Sequence, residues 1–305
     1  MKLRAKHKRH AGYFLAAATV LTCAGNAAAD TDQLAPTACY IASHAHDQAT
    51  VSLPFNIVHG RVYIEAEVNG QGPFTFAVDT GASGLGRADA SLTDELNLPF
   101  ADKAESSDGV TVSDVDTVKI DSLNVGGLIR TDLELISRDY SSSAPAGAEI
   151  SGIVGRDFFD DGLLVIDFPN KTLTYSKTIG LSTVNEGSIV YERPYRIPVT
   201  IGDVKVEANL DTGAGVALVL PQALYDQVSS APLETAGRAR LTNTTVETGL
   251  GIVSGPITIG ETVTSNVEAR VSERFPEPVV GGHILQAYVI AIDQRSKRVA
   301  VCPGT

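Results

Sequence analysis

The tetrapeptide Asp-Thr-Gly-Ala occurs twice, at Asp79–Ala82 and again at Asp211–Ala214, 132 residues on. Each copy closes a strand-like run, Phe74–Val78 before the first and Val204–Leu210 before the second. Nine residues ahead of each Asp stands a glycine, Gly70 or Gly202, and Asn69-Gly70 is a tight-hairpin signal between alternating strands. A short helix-like piece follows each motif, 89–96 and 221–228, the second with Pro221 at its start. Polar spans rich in Gly, Ser and Thr come next, at 105–113 and 236–251. Then Ile153-Val154-Gly155 is answered by Val279-Val280-Gly281, Asp167 by Asp293 and Lys171 by Lys297. The offset between copies is 132 residues at the Asp and 126 at these glycines, so about six extra residues sit in the first copy. The loop 140–145 is their natural place, since loops absorb insertions. Two copies are too few for a solenoid. They predict a pseudo-two-fold pair of β lobes.

Other features bound the reading. Hydrophobic residues make up 43% and charged residues 20% of 305, a globular composition. Met1–His10 holds five cations and no acid, an apolar run from Phe14 follows, and Ala27-Ala28-Ala29 ends it. These are the parts of a secretory signal peptide, and the run is too short to span a bilayer. Lipid attachment at Cys23 is the minor alternative. Cleavage after residue 29 leaves 19 of the 24 basic residues against 36 acidic ones, a net of −17. That balance argues against nucleic acid and anionic membrane surfaces as partners. The expected division is a signal peptide 1–29, an irregular lead-in 30–60, a first lobe 61–177, a linker 178–194 and a second lobe 195–305. His44 and His46 lack a third ligand at a sensible spacing, so no metal is expected. Gly-x-Ser-x-Gly, His-Glu-x-x-His and phosphate-loop motifs are absent, and no cofactor is expected.

The paired Asp-Thr-Gly-Ala motifs, each with its apolar-apolar-Gly partner, resemble the aspartic proteases of the retropepsin and pepsin type. Ala after the triplet is closer to the retropepsin side. The leader and tandem copies look like bacterial exported relatives with both lobes in one chain. The resemblance implies an all-β fold of two closed-barrel-like lobes and a catalytic pair, Asp79 and Asp211. Thr80, Gly81, Thr212 and Gly213 would support that pair, and Ile153, Val154, Gly155, Val279, Val280 and Gly281 would pack beneath it. The polar spans would supply flaps, with tips at Asp108-Gly109 and Asn243-Thr244. A fold that brings its ends into one sheet favours a Cys39–Cys302 disulfide, the alternative being two free thiols. The implied partner is a peptide or protein substrate, acted on by a monomer or by a dimer with exchanged lobes. Physical logic agrees: two carboxylates held about 3 Å apart cannot both ionise, so one activates water while the other donates a proton. A peptide-binding module without turnover is the reading from another class.

The copies also depart from the family's pattern. The first reads Gly155-Arg156-Asp157, the second Gly281-Gly282-His283 without the arginine. Ser83 and Gly215 stand where an acid would pair with that arginine. The ion pairs that join retropepsin subunits are therefore not expected here, and His283 reads as structural or surface.

Overall fold

The computed structural model describes residues 35–142 and 144–304. The proposed signal peptide and the first residues of the lead-in lie outside them. The fold is all-β and two-lobed, with four short α-helices among the described residues. The first lobe is an eight-stranded sheet built around Arg61–Val68, Gln71–Asp79 and Gly152–Gly155. The second, of nine strands, repeats the same neighbours as Arg196–Ile201, Val204–Asp211 and Val279–Gly281. In each lobe the next neighbours are the strand that leaves the motif, Gly86–Asp89 or Leu218–Pro221, then Leu128–Arg138 or Val267–Ser272, and then a long hairpin at the sheet edge. One difference is local: Val112–Val125 is continuous and pairs with both its hairpin partner and Arg61–Val68. Its second-lobe counterpart is split into Thr245–Val253 and Ile257–Ile259.

Local chemistry sets these elements. Asn69 and Gly70 both have positive φ (53° and 72°), the two-residue turn that matches strand twist. Gln71–Pro73 are already in the return strand. Asp167 opens its turn by accepting from Asn170 N at 3.0 Å, and Asp293 accepts from Arg295 N at 3.1 Å. Lys171 and Lys297 both close these turns with positive φ. The helix expected over 89–96 is Ala90–Glu95, capped by the Asp89 side chain, and that over 221–228 is Gln222–Val228.

A third sheet of six strands lies across the lobes. Its centre pairs Leu163–Asp167 with Tyr288–Asp293, Val165 opposite Ala291. Leu164, Ile166, Ile290 and Ile292 enter the main core from one face. Leu163, Val165, Val289 and Ala291 form a second cluster on the other face with Ala38, Ala42 and Ala45. Burial on both faces explains why these strands read as unbroken apolar runs.

The lead-in corrects the expectation of an irregular segment. Ala38–Ser43 is a helix capped by Thr37, Val51–Pro54 is the edge strand of the six-stranded sheet, and Asn56–Val58 pairs with Arg61–Val68. Each piece is too short to carry a readable period; each is held by what it covers. Cys39 and Cys302 are joined as a disulfide, Cα to Cα 5.5 Å, tying the helix to the last strand. Within 178–194 only Ile189–Val190 is a strand, and Leu181 N anchors the segment by donating to the buried Asp293 carboxylate at 2.9 Å. Among the described residues no helix is long and apolar enough to cross a membrane.

Candidate active site

Both motif aspartates end a strand and stand opposite the glycine of an apolar-apolar-Gly segment. Asp79 is level with Gly155 and Asp211 with Gly281, in parallel pairing. The chain then turns back over that segment in the same way in both lobes. Gly155 N donates to Leu85 O (3.0 Å) and Arg156 N to Ala82 O (3.0 Å). Gly281 N donates to Ala217 O (2.9 Å) and Gly282 N to Ala214 O (2.8 Å). The motif loops are thus fixed by backbone bonds from beneath, which is what Ile153–Gly155 and Val279–Gly281 supply.

Each carboxylate is held by its own loop. Asp79 Oδ1 accepts from Gly81 N at 2.8 Å and Ala82 N at 3.0 Å. Asp211 Oδ1 accepts from Gly213 N at 2.8 Å and Ala214 N at 3.2 Å. The two loops grip each other through buried threonines. Thr80 Oγ1 donates to Leu210 O at 2.9 Å, and Thr212 Oγ1 to Val78 O at 2.7 Å. In return each hydroxyl accepts the other threonine's N–H at 3.1 Å. Four hydrogen bonds with no water exposure fix the lobes at one point. They bring the carboxylates together: a Cβ on Gly81 would lie 2.7 Å from Asp211 Cγ, and one on Gly213 would strike the Asp79 carboxylate. The glycines clear space for the opposite lobe's acid. Burial, then the charge of Asp79, holds the Asp211 ionisation above the usual carboxylate range, while its loop N–H donors pull the other way.

Asp108, Gly109, Asn243 and Thr244 lie at the tips of two hairpins. One joins Phe100–Ser107 to Val112–Val125, the other Glu234–Arg240 to Thr245–Val253. The tips meet. Asn243 N donates to Asp108 Oδ2 at 2.7 Å, and Asn243 Nδ2 to Ser106 O and Thr111 O at 2.6 and 2.8 Å. Asp108 Oδ1 meanwhile accepts Val110 N and Thr111 N of its own turn. Backbone donors of both tips hold Asp108 below the usual carboxylate range, against the desolvation that raises it. Arg138 Nη1 reaches across to Thr242 O at 2.8 Å. The two hairpins therefore close on each other through side chains that differ between the copies.

These folded motifs decide the family. The aspartyl protease family matches residues 64–158 and again 197–285, more than half of the chain. The chain belongs to the aspartyl protease family. No curated protein matches it. Peptide-bond hydrolysis, with a peptide or protein as substrate, is the chemistry of that family, and this aspartyl protease carries its domain twice.

Several residues that shape the site escaped sequence reasoning. Asp89 is 1% exposed and accepts from Ser91, from Tyr140 N (2.7 Å) and from Ser141 N (3.1 Å), fixing the loop that holds the first-copy insertion. Its place one residue before a helix was the only signal. Among the described residues, close backbone approach stands at the second-lobe positions where the family's arginine and its acid would be. Gly282 is buried where a side chain would overlap Gly60 O, and Gly215 lies against His59 O. Arg156 instead stays beside Asp157 (3.6 Å) and Gly81 O (3.3 Å). His283 is exposed, its N–H donating to Val216 O at 3.1 Å. His46 pairs with Asp47, and His44 stacks on Tyr40. Among the described residues no group of His, Cys, Asp and Glu is arranged to hold a metal.

Proposed function

We propose that this aspartyl protease is an exported endopeptidase, active as one chain, in which Asp79 and Asp211 activate water against a peptide bond. The observation that carries the reading is reciprocal: each carboxylate sits over the other lobe's motif glycine and keeps only Oδ1 for its own loop. The second oxygen of each acid is left to face the reacting atoms. With the Asp211 ionisation raised, the pair holds one proton between the two groups near neutrality. The ionised member takes a proton from water as it attacks the scissile carbonyl, and the protonated member donates to the carbonyl oxygen. Proton transfer to the amine then breaks the C–N bond and regenerates the pair. The threonine grip holds both acids at the spacing this requires, and the hairpin tips exclude bulk water. Export rests on the basic, then apolar, then Ala-rich leader.

Asp79→Asn and Asp211→Asn should each lower kcat/KM at least about a thousand-fold while circular dichroism stays native. The kcat/KM profile should be bell-shaped in pH, its two limbs belonging to the pair. Full proteolysis by either variant would falsify the assignment. Peptide affinity in a folded sample without cleavage would point to the binding-module reading. N-terminal sequencing of protein recovered outside the cytoplasm should begin near Asp30, and an intact Met1 would end the export proposal.

A further inference from the structure

The cleft wall beside the first motif carries an arginine with no acidic partner. Arg87 lies on Gly86–Asp89, opposite Ile136 in the parallel neighbour. A Cβ on Gly86 would touch Leu135 Cδ2 at 3.5 Å, and Leu135 is fully buried in the lobe core. Strand alternation therefore turns Arg87 and Ile136 away from that core. They face a cavity of about 230 Å³ whose walls also include Ser83, Gly84, Ala104 and Thr117. Ser83 and Gly84 continue the Asp79 loop, while Ala104 and Thr117 belong to the hairpin above it. The cavity is thus a side pocket between the motif loop and the root of the flap.

The guanidinium donates to its neighbour's carbonyl, Gly86 O, at 2.9 Å. Among the described residues no carboxylate is within ion-pair distance of it. Glu134 also borders the pocket, but it is exposed and already accepts Thr117 Oγ1. It stands two residues from Ile136, roughly 7 Å along the strand. The second lobe has the same pair of register positions with the residues exchanged, Val219 opposite Arg270. Leu218 and Ala269 point into that lobe's core, so Val219 and Arg270 also turn outward. Each wall keeps one guanidinium, supplied from opposite strands, in a chain of net charge −12.

We propose that Arg87 determines specificity: the pocket takes an acidic side chain of the peptide, whose carboxylate pairs with the guanidinium. The inference rests on the proteolytic reading and adds a substrate class to it, peptides with Asp or Glu at one fixed position near the cut. A charge-assisted, forked contact in a partly shielded pocket favours a carboxylate over a methyl group by about tenfold.

The test uses two peptides that differ by Glu against Ala at the position a library digest identifies. The wild-type protein should show a kcat/KM ratio of about ten, Arg87→Leu a ratio near one, and Arg87→Lys an intermediate value. A wild-type library with no acidic enrichment overturns the proposal, as does an enrichment that survives in Arg87→Leu. If Arg87→Leu does not fold, the wild-type ratio and Arg87→Lys still decide. If nothing is cut, the protease reading fails, and calorimetry of both peptides on Asp79→Asn carries the pocket alone: equal affinities sink it, a tenfold difference supports it.

Discussion

At the residue scale, Gly81 and Gly213 show why the motif tolerates no side chain. A methyl group on Gly81 would stand 2.7–2.8 Å from the carboxylate atoms of Asp211, so that acid must move by about 1 Å. Gly81→Ala should lower kcat/KM about a hundred-fold, read by peptide cleavage, while thermal melting shifts little. Asp211 also makes stability depend on pH. Its native ionisation is raised, so above the ordinary carboxylate pKa the folded chain keeps a proton that the unfolded chain has lost. Stability from this group is complete below that ordinary value and is lost as pH rises toward the raised one. Asp211→Asn has no such proton, so the wild-type melting temperature should fall relative to the variant between about pH 4 and pH 7. The pair was legible in the sequence because duplication repeats it. The reason for its glycines was not, because the atom each one avoids belongs to the other copy, 130 residues from Gly81 and 134 from Gly213.

At the element scale, the two hairpin tips are joined through two side chains, Asn243 and Asp108. Asn243 gives three of the hydrogen bonds between the tips, two from its amide and one from its N–H. Asn243→Ala removes the two amide bonds and should raise hydrogen exchange of 108–111 and 241–244 about tenfold, with melting almost unchanged. Unaltered exchange at 108–111 would show that the tips close without this contact. Asp89→Ala leaves the half-buried N–H groups of Tyr140 and Ser141 without this acceptor, and should destabilise the fold by about 1–2 kcal/mol by urea titration. Composition located both hairpins, since Gly, Ser and Thr mark turns at any tip. It could not couple them. Asn243 and Asp108 have no counterparts in each other's copy, and no local pattern ties a carboxylate to a backbone N–H 135 residues on. The insertion loop was found the same way, from unequal offsets, while its anchor Asp89 looked like an ordinary helix cap.

At the scale of the whole molecule, the lobes meet through the threonine grip, through Leu163–Asp167 paired with Tyr288–Asp293, and through Gly60 against Gly282. The residues before 61 complete this seam. Their helix covers the outer face of the six-stranded sheet, their strand Val51–Pro54 extends it, and Cys39 bonds to Cys302 across 263 residues. A removable pro-segment ending near residue 60 would strip all three. A chain starting at Asp30 should therefore stay soluble, whereas a chain starting at Arg61 should expose Leu163, Val165, Val289 and Ala291 and aggregate. The disulfide contributes separately by restricting the unfolded chain over a long loop, an effect of about 2–4 kcal/mol. Replacing both cysteines by alanine should lower the melting temperature by roughly 5–15 °C. A reductant should lower wild type toward the double variant and leave the variant where it was. Equal melting of wild type with and without reductant would show that the helix holds the sheet by packing alone.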